Sequence, residues 1–275
     1  FGRVTKVSYS VKSRISVSPS SQQLANAVFG FAVIATIATA SAADGRKSGF
    51  DFMLPSTQSL QRDDSQNPAM LWVKDGRAQW SKPDGAAQQS CADCHGEITR
   101  MRGVAARFPH YASPQQRVVN LGQQINQCRS TQQWAKPWPA EDGALLGLEA
   151  AIAMESRGLP IVPRAQPQLA TAQARGESLF NQRIGQTDLS CRDCHETLAG
   201  KRLGGNTIPQ GHPTGYPIYR LEWQSLGSLQ RRLRNCMTAV RAEPWPYGAS
   251  ELVDLEAYLM KRAAGMSYES PGVRP

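Results

Sequence analysis

Two copies of Cys-x-x-Cys-His carry the chemistry that this chain advertises: Cys91, Cys94 and His95, then Cys191, Cys194 and His195. Thiols at this spacing sit on one side of a flat macrocycle and add across its two vinyl groups, and the adjoining imidazole then reaches the iron. The pattern is the attachment signature of c-type haem, with His95 and His195 as the proximal ligands. A thioredoxin-like dithiol or half of a zinc site uses parts of the same pattern. Duplication within a matching frame argues against both, so two covalently bound haems are expected. Whether a copper ion accompanies them is left open.

Each iron needs a second axial ligand if it only carries electrons, or an open face if it binds a substrate. His110 lies 15 residues beyond His95 and His212 lies 17 beyond His195. No methionine recurs at equivalent places in the two halves. Cys128 and Cys236 do recur, each shortly before a Pro-Trp-Pro turn (Pro137-Trp138-Pro139 and Pro244-Trp245-Pro246), and neither is needed to attach haem. Thiolate ligation, a Cys128–Cys236 disulfide, buried free thiols and histidine ligation all compete. Equivalent residues of tandem domains face each other only across a nearby two-fold axis, so equivalence favours the same local task in each half.

The frame that must position these groups is itself repeated. Gly76, Trp80, Ser90 and the first motif match Gly176, Phe180, Ser190 and the second at a constant offset of 100. Each half closes with a helical pattern. The first runs from about Asp142 to Glu155; the second has Ser250 as N-cap and Leu252, Leu255, Tyr258 and Leu259 on one face. The Pro-rich segment Leu159–Pro167 reads as a linker. Period-two alternation is absent, so strands should be few. The expected fold is mainly α: two tandem cytochrome c-like domains with long irregular loops, residues 43–159 around haem 1 and residues 160–275 around haem 2. So little regular structure per hundred residues calls for a large buried cofactor as a staple.

Residues 1–42 read as a signal peptide. Arg3, Lys6, Lys12 and Arg14 precede an apolar stretch, Leu24 to Ala38, and the small residues Ala40-Ser41-Ala42. The stretch is shorter than the roughly 20 residues that span a bilayer. Cleavage near Ala42 and a periplasmic protein without a membrane span are expected, in a compartment that permits cysteine oxidation. The formal charge of +9 invites a nucleic-acid reading. No recognition helix or aromatic-basic stripe supports it. The signal takes four of those charges, and the propionates of two haems, about −2 each, bring the remainder close to neutral. What stays local is the group Arg231, Arg232, Arg234 and Arg241 around Cys236. Arg232 is one helical turn before Cys236 and shares its face. Guanidinium groups recognise oxyanions by paired, charge-assisted hydrogen bonds, and positive surroundings favour the reactive thiolate.

With both haem motifs, the paired extra cysteines and the segment Arg231-Arg232-Leu233-Arg234-Asn235-Cys236-Met237, the sequence resembles the SoxA subunits of the SoxAX cytochromes, which start thiosulfate oxidation in sulfur-oxidising bacteria. The resemblance covers nearly the whole mature chain. It implies that Cys128 and Cys236 are axial ligands, and that Cys236 is the active-site cysteine, carrying an extra sulfur as a persulfide. The implied activity is that of an L-cysteine S-thiosulfotransferase. Thiosulfate is coupled oxidatively to a cysteine of the SoxYZ carrier, with SoxX as heterodimer partner and a cytochrome as electron acceptor. Arg232 would act beside Cys236 in catalysis, and Arg232 and Arg241 would bind substrate. A dihaem electron carrier without its own substrate and a dihaem peroxidase are the alternatives.

Overall fold

A glycine at a helix crossing lets two backbones touch, and each half of this chain uses one. The computed structural model describes residues 8–14 and 45–275. Its α-helices are α1 (Pro55–Arg62), α2 (Ala69–Trp80), α3 (Cys91–His95), α4 (Leu121–Cys128), α5 (Gly143–Met154), α6 (Pro167–Asn181), α7 (Leu229–Ala239) and α8 (Ser250–Arg262). The strands are short: β1 (His110–Ala112), β2 (Arg117–Val119), β3 (Arg202–Leu203), β4 (Asn206–Thr207), β5 (Ile218–Arg220), β6 (Ser225–Gly227) and β7 (Gly272–Arg274). In the first half α2 crosses α5, and in the second α6 crosses α8. A Cβ on Gly76 would stand 1.9 Å from the Gly147 carbonyl oxygen, and one on Gly176 2.0 Å from that of Asp254. Any other residue at either site would drive the helices apart. One turn later on the same helices, Trp80 and Phe180 are buried. The repeated glycine-to-aromatic spacing is thus a helix-crossing device.

The element order in each half is helix, haem motif, long loop, helix, turn and helix. Phe1–Asp44 and Gly45–Pro275 are separate units. Of the former only residues 8–14 are described, exposed and without regular structure; the apolar stretch and the Ala42 cleavage point lie outside the described residues. Among the described residues no helix is long and apolar enough to cross a membrane.

Two local expectations are corrected. Ala249, not Ser250, is the N-cap of α8, and residues 252–260 are buried on every side rather than on one face. The helix is wedged between α6 and the first half. Its one carboxylate toward α6, Asp254, is satisfied by Arg175, Nε to Oδ2 at 2.6 Å and Nη2 to Oδ1 at 2.8 Å. The Pro-rich segment is a packed crossing rather than a loose linker. Ile161 is buried; its N–H donates to Met266 O, its carbonyl accepts from Gly265, and the Val162 N–H donates to Ala106 O. Those bonds sew the end of the second half to the first.

Residues 108–128 and 216–236 form a second repeat, at an offset of 108. Hairpin β1–β2 pairs His110 with Val119 and Ala112 with Arg117; hairpin β5–β6 pairs Ile218 with Gly227 and Arg220 with Ser225. Asn120 caps α4 by accepting from Gln123 N, and Ser228 caps α7 by accepting from Arg231 N. Strand β7 adds to β5 in parallel in the second half. A mostly apolar cavity between the halves is lined by equivalent pairs: Phe108 and Tyr216, Pro109 and Pro217, Asn120 and Ser228, Leu121 and Leu229, Glu149 and Glu256. The halves therefore meet about a local two-fold, and the residues facing each other across it are two glutamates, not the two extra cysteines.

Burial pushes the Glu149 carboxyl up to about 8 and that of Glu256 up to about 7, and the carboxylates of Glu256 and Glu141 add to the effect on Glu149. Asn120 donates to Glu256 Oε1 at 3.2 Å, and Gln230 and Glu141 also face that carboxyl, as Tyr268 faces Glu149. A carboxyl whose folded value is raised holds its proton when the unfolded chain has lost it. Its stabilisation is complete below about 4.5 and is lost as pH rises through 7 to 8. The melting temperature of the haem-loaded protein should fall by roughly 4–8 °C from pH 5.5 to 8.5, each kcal/mol being worth about 2–4 °C at this size. The double variant Glu149→Gln, Glu256→Gln should flatten that slope, as followed by circular dichroism melts.

Candidate active site

The turn that carries each haem motif is locked by its own neighbours. Ser90 caps α3: its Oγ accepts from Asp93 N at 3.2 Å, while Asp93 Oδ2 accepts from Ser90 N at 2.7 Å and Oγ at 2.8 Å. Ser190 and Asp193 repeat the box at 3.2, 2.9 and 2.9 Å. These reciprocal bonds satisfy the first free amides of the turn and fix both thiols and the histidine relative to one another.

In the first centre an apolar cleft of about 920 Å³, partly open to solvent, is lined by Cys91, Cys94, His95, Cys128, Met101, Trp80 and Trp138. Gln124, one turn before Cys128 on α4, donates to its Sγ at 3.6 Å. Burial, followed by the nearby Cys128, pushes the Cys91 thiol up to about 11. Arg129 is buried, ion-paired with Asp84 at 2.8 Å and stacked 3.4 Å over the Trp138 ring. Its charge is spent on the cleft wall.

In the second centre Cys236 on α7 is half-buried and hydrogen-bonded to the His195 side chain. His195 Nδ1 lies 2.8 Å from the Pro209 carbonyl oxygen, so this nitrogen carries the proton and Nε2 is left toward Cys236. Gly211, at φ 73°, presses its backbone on the same ring, where a Cβ would stand 3.1 Å from Cγ. Burial raises the Cys236 thiol, but the His195 hydrogen bond and the charges of Arg232, His195 and Arg220 together bring it down to about 7. Among the described residues the Arg232 guanidinium makes no hydrogen bond or ion pair, although Cys236 and Tyr216 both act on it electrostatically.

The donor sets fit covalent haem c: in each half two thiols, an adjoining imidazole and a further thiol converge, and in the second half the imidazole tautomer is already set for a ligand at Nε2. Cys128 and Cys236 each face their own haem motif, and all six cysteines are free thiols. His110 stacks on Phe108 at 4.4 Å with its Nδ1 buried and unpartnered, and His212 Nδ1 contacts Lys47 O at 2.8 Å. Trp245 packs with Cys191 and Phe180, as Trp138 packs with Cys91 and Trp80.

The structure separates the sequence-nominated arginines. Arg232 joins Cys236. Arg231 is stacked 4.2 Å over Trp223 and bonded to Ser225 Oγ, and Arg234 is stacked 4.5 Å over Tyr247 and bonded to the Trp245 carbonyl; both brace the fold. Arg241 is exposed just beyond α7, at φ 56°. Arg220 and Tyr216, which sequence reasoning missed, stand with Cys236 instead.

The family model for the SoxA/TsdA cytochrome c domain matches residues 75–161 and 175–268, one segment over each haem motif. The chain belongs to the SoxA/TsdA cytochrome c family. Its two matched segments are cytochrome c domains, which bind haem covalently. Among relatives of this SoxA/TsdA cytochrome, the L-cysteine S-thiosulfotransferase subunit SoxA of Rhodovulum sulfidophilum is 34% identical over 84% of this chain and 81% of its own. The same subunit of Paracoccus pantotrophus is 30% identical over 82% of this chain and 78% of its own. Among solved structures, the crystal structure of SoxXA from P. pantotrophus superposes with a TM-score of 0.81 at 30% identity, over 84% of this chain and 87% of that one.

Proposed function

We propose that this chain is the dihaem subunit of a periplasmic L-cysteine S-thiosulfotransferase, released from its leader near Ala42 and paired with a SoxX-type cytochrome. Its two cytochrome c-like domains are residues 43–159 and 160–275. Cys91 and Cys94 would hold haem 1 and Cys191 and Cys194 haem 2, with His95 and Cys128, and His195 and Cys236, as the residues that would bind the two irons. Haem c, when bound, supplies a one-electron acceptor. The observation that carries the reading is the second centre: a thiol facing the proximal histidine, with a guanidinium one helical turn away that makes no hydrogen bond or ion pair among the described residues.

The reaction joins the terminal sulfur of thiosulfate to a cysteine thiol of a SoxYZ-type carrier. The S–H bond breaks and an S–S bond forms; one proton and two electrons leave, the electrons passing to cytochrome acceptors. Arg232 binds the sulfonate oxygens and so leaves the terminal sulfur for coupling. The charges of Arg232 and Arg220 favour Cys236 as thiolate, ready to carry an additional sulfur. To Arg241, exposed just beyond α7, we assign contact with the substrate as it arrives with the carrier.

The test is cytochrome reduction by the haem-loaded complex with its SoxX-type partner. Reduction should require thiosulfate and carrier together and leave an S-thiosulfonate on the carrier, read by mass spectrometry. Hydrogen peroxide turnover, or thiosulfate-driven reduction that ignores the carrier, would overturn the reading.

A further inference from the structure

The two halves differ in what backs the histidine of the haem motif. His195 is followed by a longer loop than His95, which reaches Phe108 well before His195 reaches the equivalent Tyr216. The longer loop brings a turn at 209–212 against the second imidazole. Pro209 O lies 2.8 Å from His195 Nδ1, and the Gly211 backbone packs on the ring. His95 is exposed, with the Trp80 ring 5.8 Å away between centroids.

A turn outside regular structure holds its carbonyl on a ring nitrogen only as firmly as the turn is itself held. Here the hold comes from the far end of the chain, at residues 45–48. The Gln210 carboxamide pairs with that main chain in both directions: Oε1 accepts from Lys47 N at 2.6 Å, and Nε2 donates to Gly45 O at 3.3 Å. His212, itself buried, donates from Nδ1 to Lys47 O at 2.8 Å. The segment is anchored at both ends. Arg46 Nη1 donates to the carbonyls of Arg262 at 2.8 Å and Ala264 at 2.9 Å, which end α8. Ser48 is buried and closes a capping box with Asp51. Arg262 completes the enclosure, donating to Gln210 O at 3.3 Å and to Glu196, the neighbour of His195, at 2.5 Å.

We propose that residues 45–48 are a strap that positions His195, holding through Gln210 and His212 the turn whose Pro209 carbonyl orients the imidazole. This rests on the functional reading above, in which His195 binds the second iron. Arg46, Gln210 and His212 are positioning residues, acting through Pro209. An imidazole that donates a well-aligned hydrogen bond is a more basic iron ligand and favours the ferric state. A turn released by the strap would make that bond only part of the time. The strap thus tunes one centre and leaves the other alone.

The test uses the haem-loaded protein, with the two haems told apart by the electron paramagnetic resonance signal that Cys236→Ala removes. In the double variant Arg46→Ala, Gln210→Leu, the amides at 209–212 should exchange with solvent faster. At a fixed ambient potential the ferric-to-ferrous ratio of haem 2 should fall by roughly two- to tenfold, the span of one hydrogen bond. Haem 1 and covalent haem content should be unchanged. Gln210→Glu, which keeps the acceptor for Lys47 N and loses the donor to Gly45 O, should fall between. An unshifted haem 2, whatever the exchange rates, or an equal shift of both haems, would overturn the inference while the functional reading stands. An unmodified protein with no haem on Cys191 and Cys194 would overturn both. Should the double variant fail to take up haem, Arg46→Ala alone, at an exposed residue, decides on the same criterion.

Discussion

Replacing Cys236 by alanine is expected to reduce thiosulfate coupling by on the order of 10³-fold or more, the scale seen when the reacting nucleophile of a site is removed. The same variant should keep both haems covalently attached. Attachment depends on Cys91, Cys94, Cys191 and Cys194, which sit on turns capped by Ser90 and Ser190 rather than held by Cys236. Coupling depends on the sulfur that faces His195 from α7 and is held toward thiolate by the charges of Arg232 and Arg220. Cys128→Ala is the matched control. It removes the equivalent sulfur from the centre whose neighbouring cation, Arg129, is already committed to Asp84 and Trp138, so coupling should largely survive. Haem-to-protein ratio and carrier-dependent cytochrome reduction, measured on both variants, separate attachment from chemistry. A plain electron carrier would show equal, modest effects in both.

The second large effect is expected from Arg232→Gln, which gives the second centre the residue that the first carries at Gln124. A drop of about 10²-fold in kcat/KM for thiosulfate is expected, roughly 3 kcal/mol, as one or two charge-assisted hydrogen bonds are lost. The fold should hold, because glutamine already occupies this place in α4 and bonds to Cys128. The Cys236 thiol should titrate higher once the Arg232 charge is gone, since that guanidinium is among the groups that lower it. Steady-state kinetics with thiosulfate varied at saturating carrier measure the first effect, and alkylation rate against pH in haem-free protein measures the second. Loss of haem content in this variant would instead show that Arg232 is a structural residue.

Covalent chemistry was the most legible part of the sequence, because attachment of haem demands fixed residue types at fixed spacing. Helices that cross at glycine were legible for the same reason: Gly76 and Gly176 have no alternative. What was lost is what tertiary pairing delivers. Strands of three residues are too short for a period-two signal, so the hairpins around residues 110–119 and 218–227 were invisible, and with them Arg220 on β5, whose charge acts on Cys236. Arg231 and Arg234, which lack the helical-turn spacing that singled out Arg232 in sequence, have their guanidiniums claimed by Trp223 and Tyr247. The repeated Leu-Glu-Ala, residues 148–150 and 255–257, was a readable sign of the buried two-fold. Glutamate on a helix is ordinarily a solvated face, and only the meeting of the halves buries it.

The most direct test of the central claim, that Cys236 and His195 form one redox centre, is low-temperature electron paramagnetic resonance of the oxidised, haem-loaded protein. Low-spin signals of histidine–thiolate type from both haems, with the second-centre signal lost in Cys236→Ala and the first retained, are the predicted result. Bis-histidine or high-spin spectra from both haems, unchanged in that variant, would contradict it.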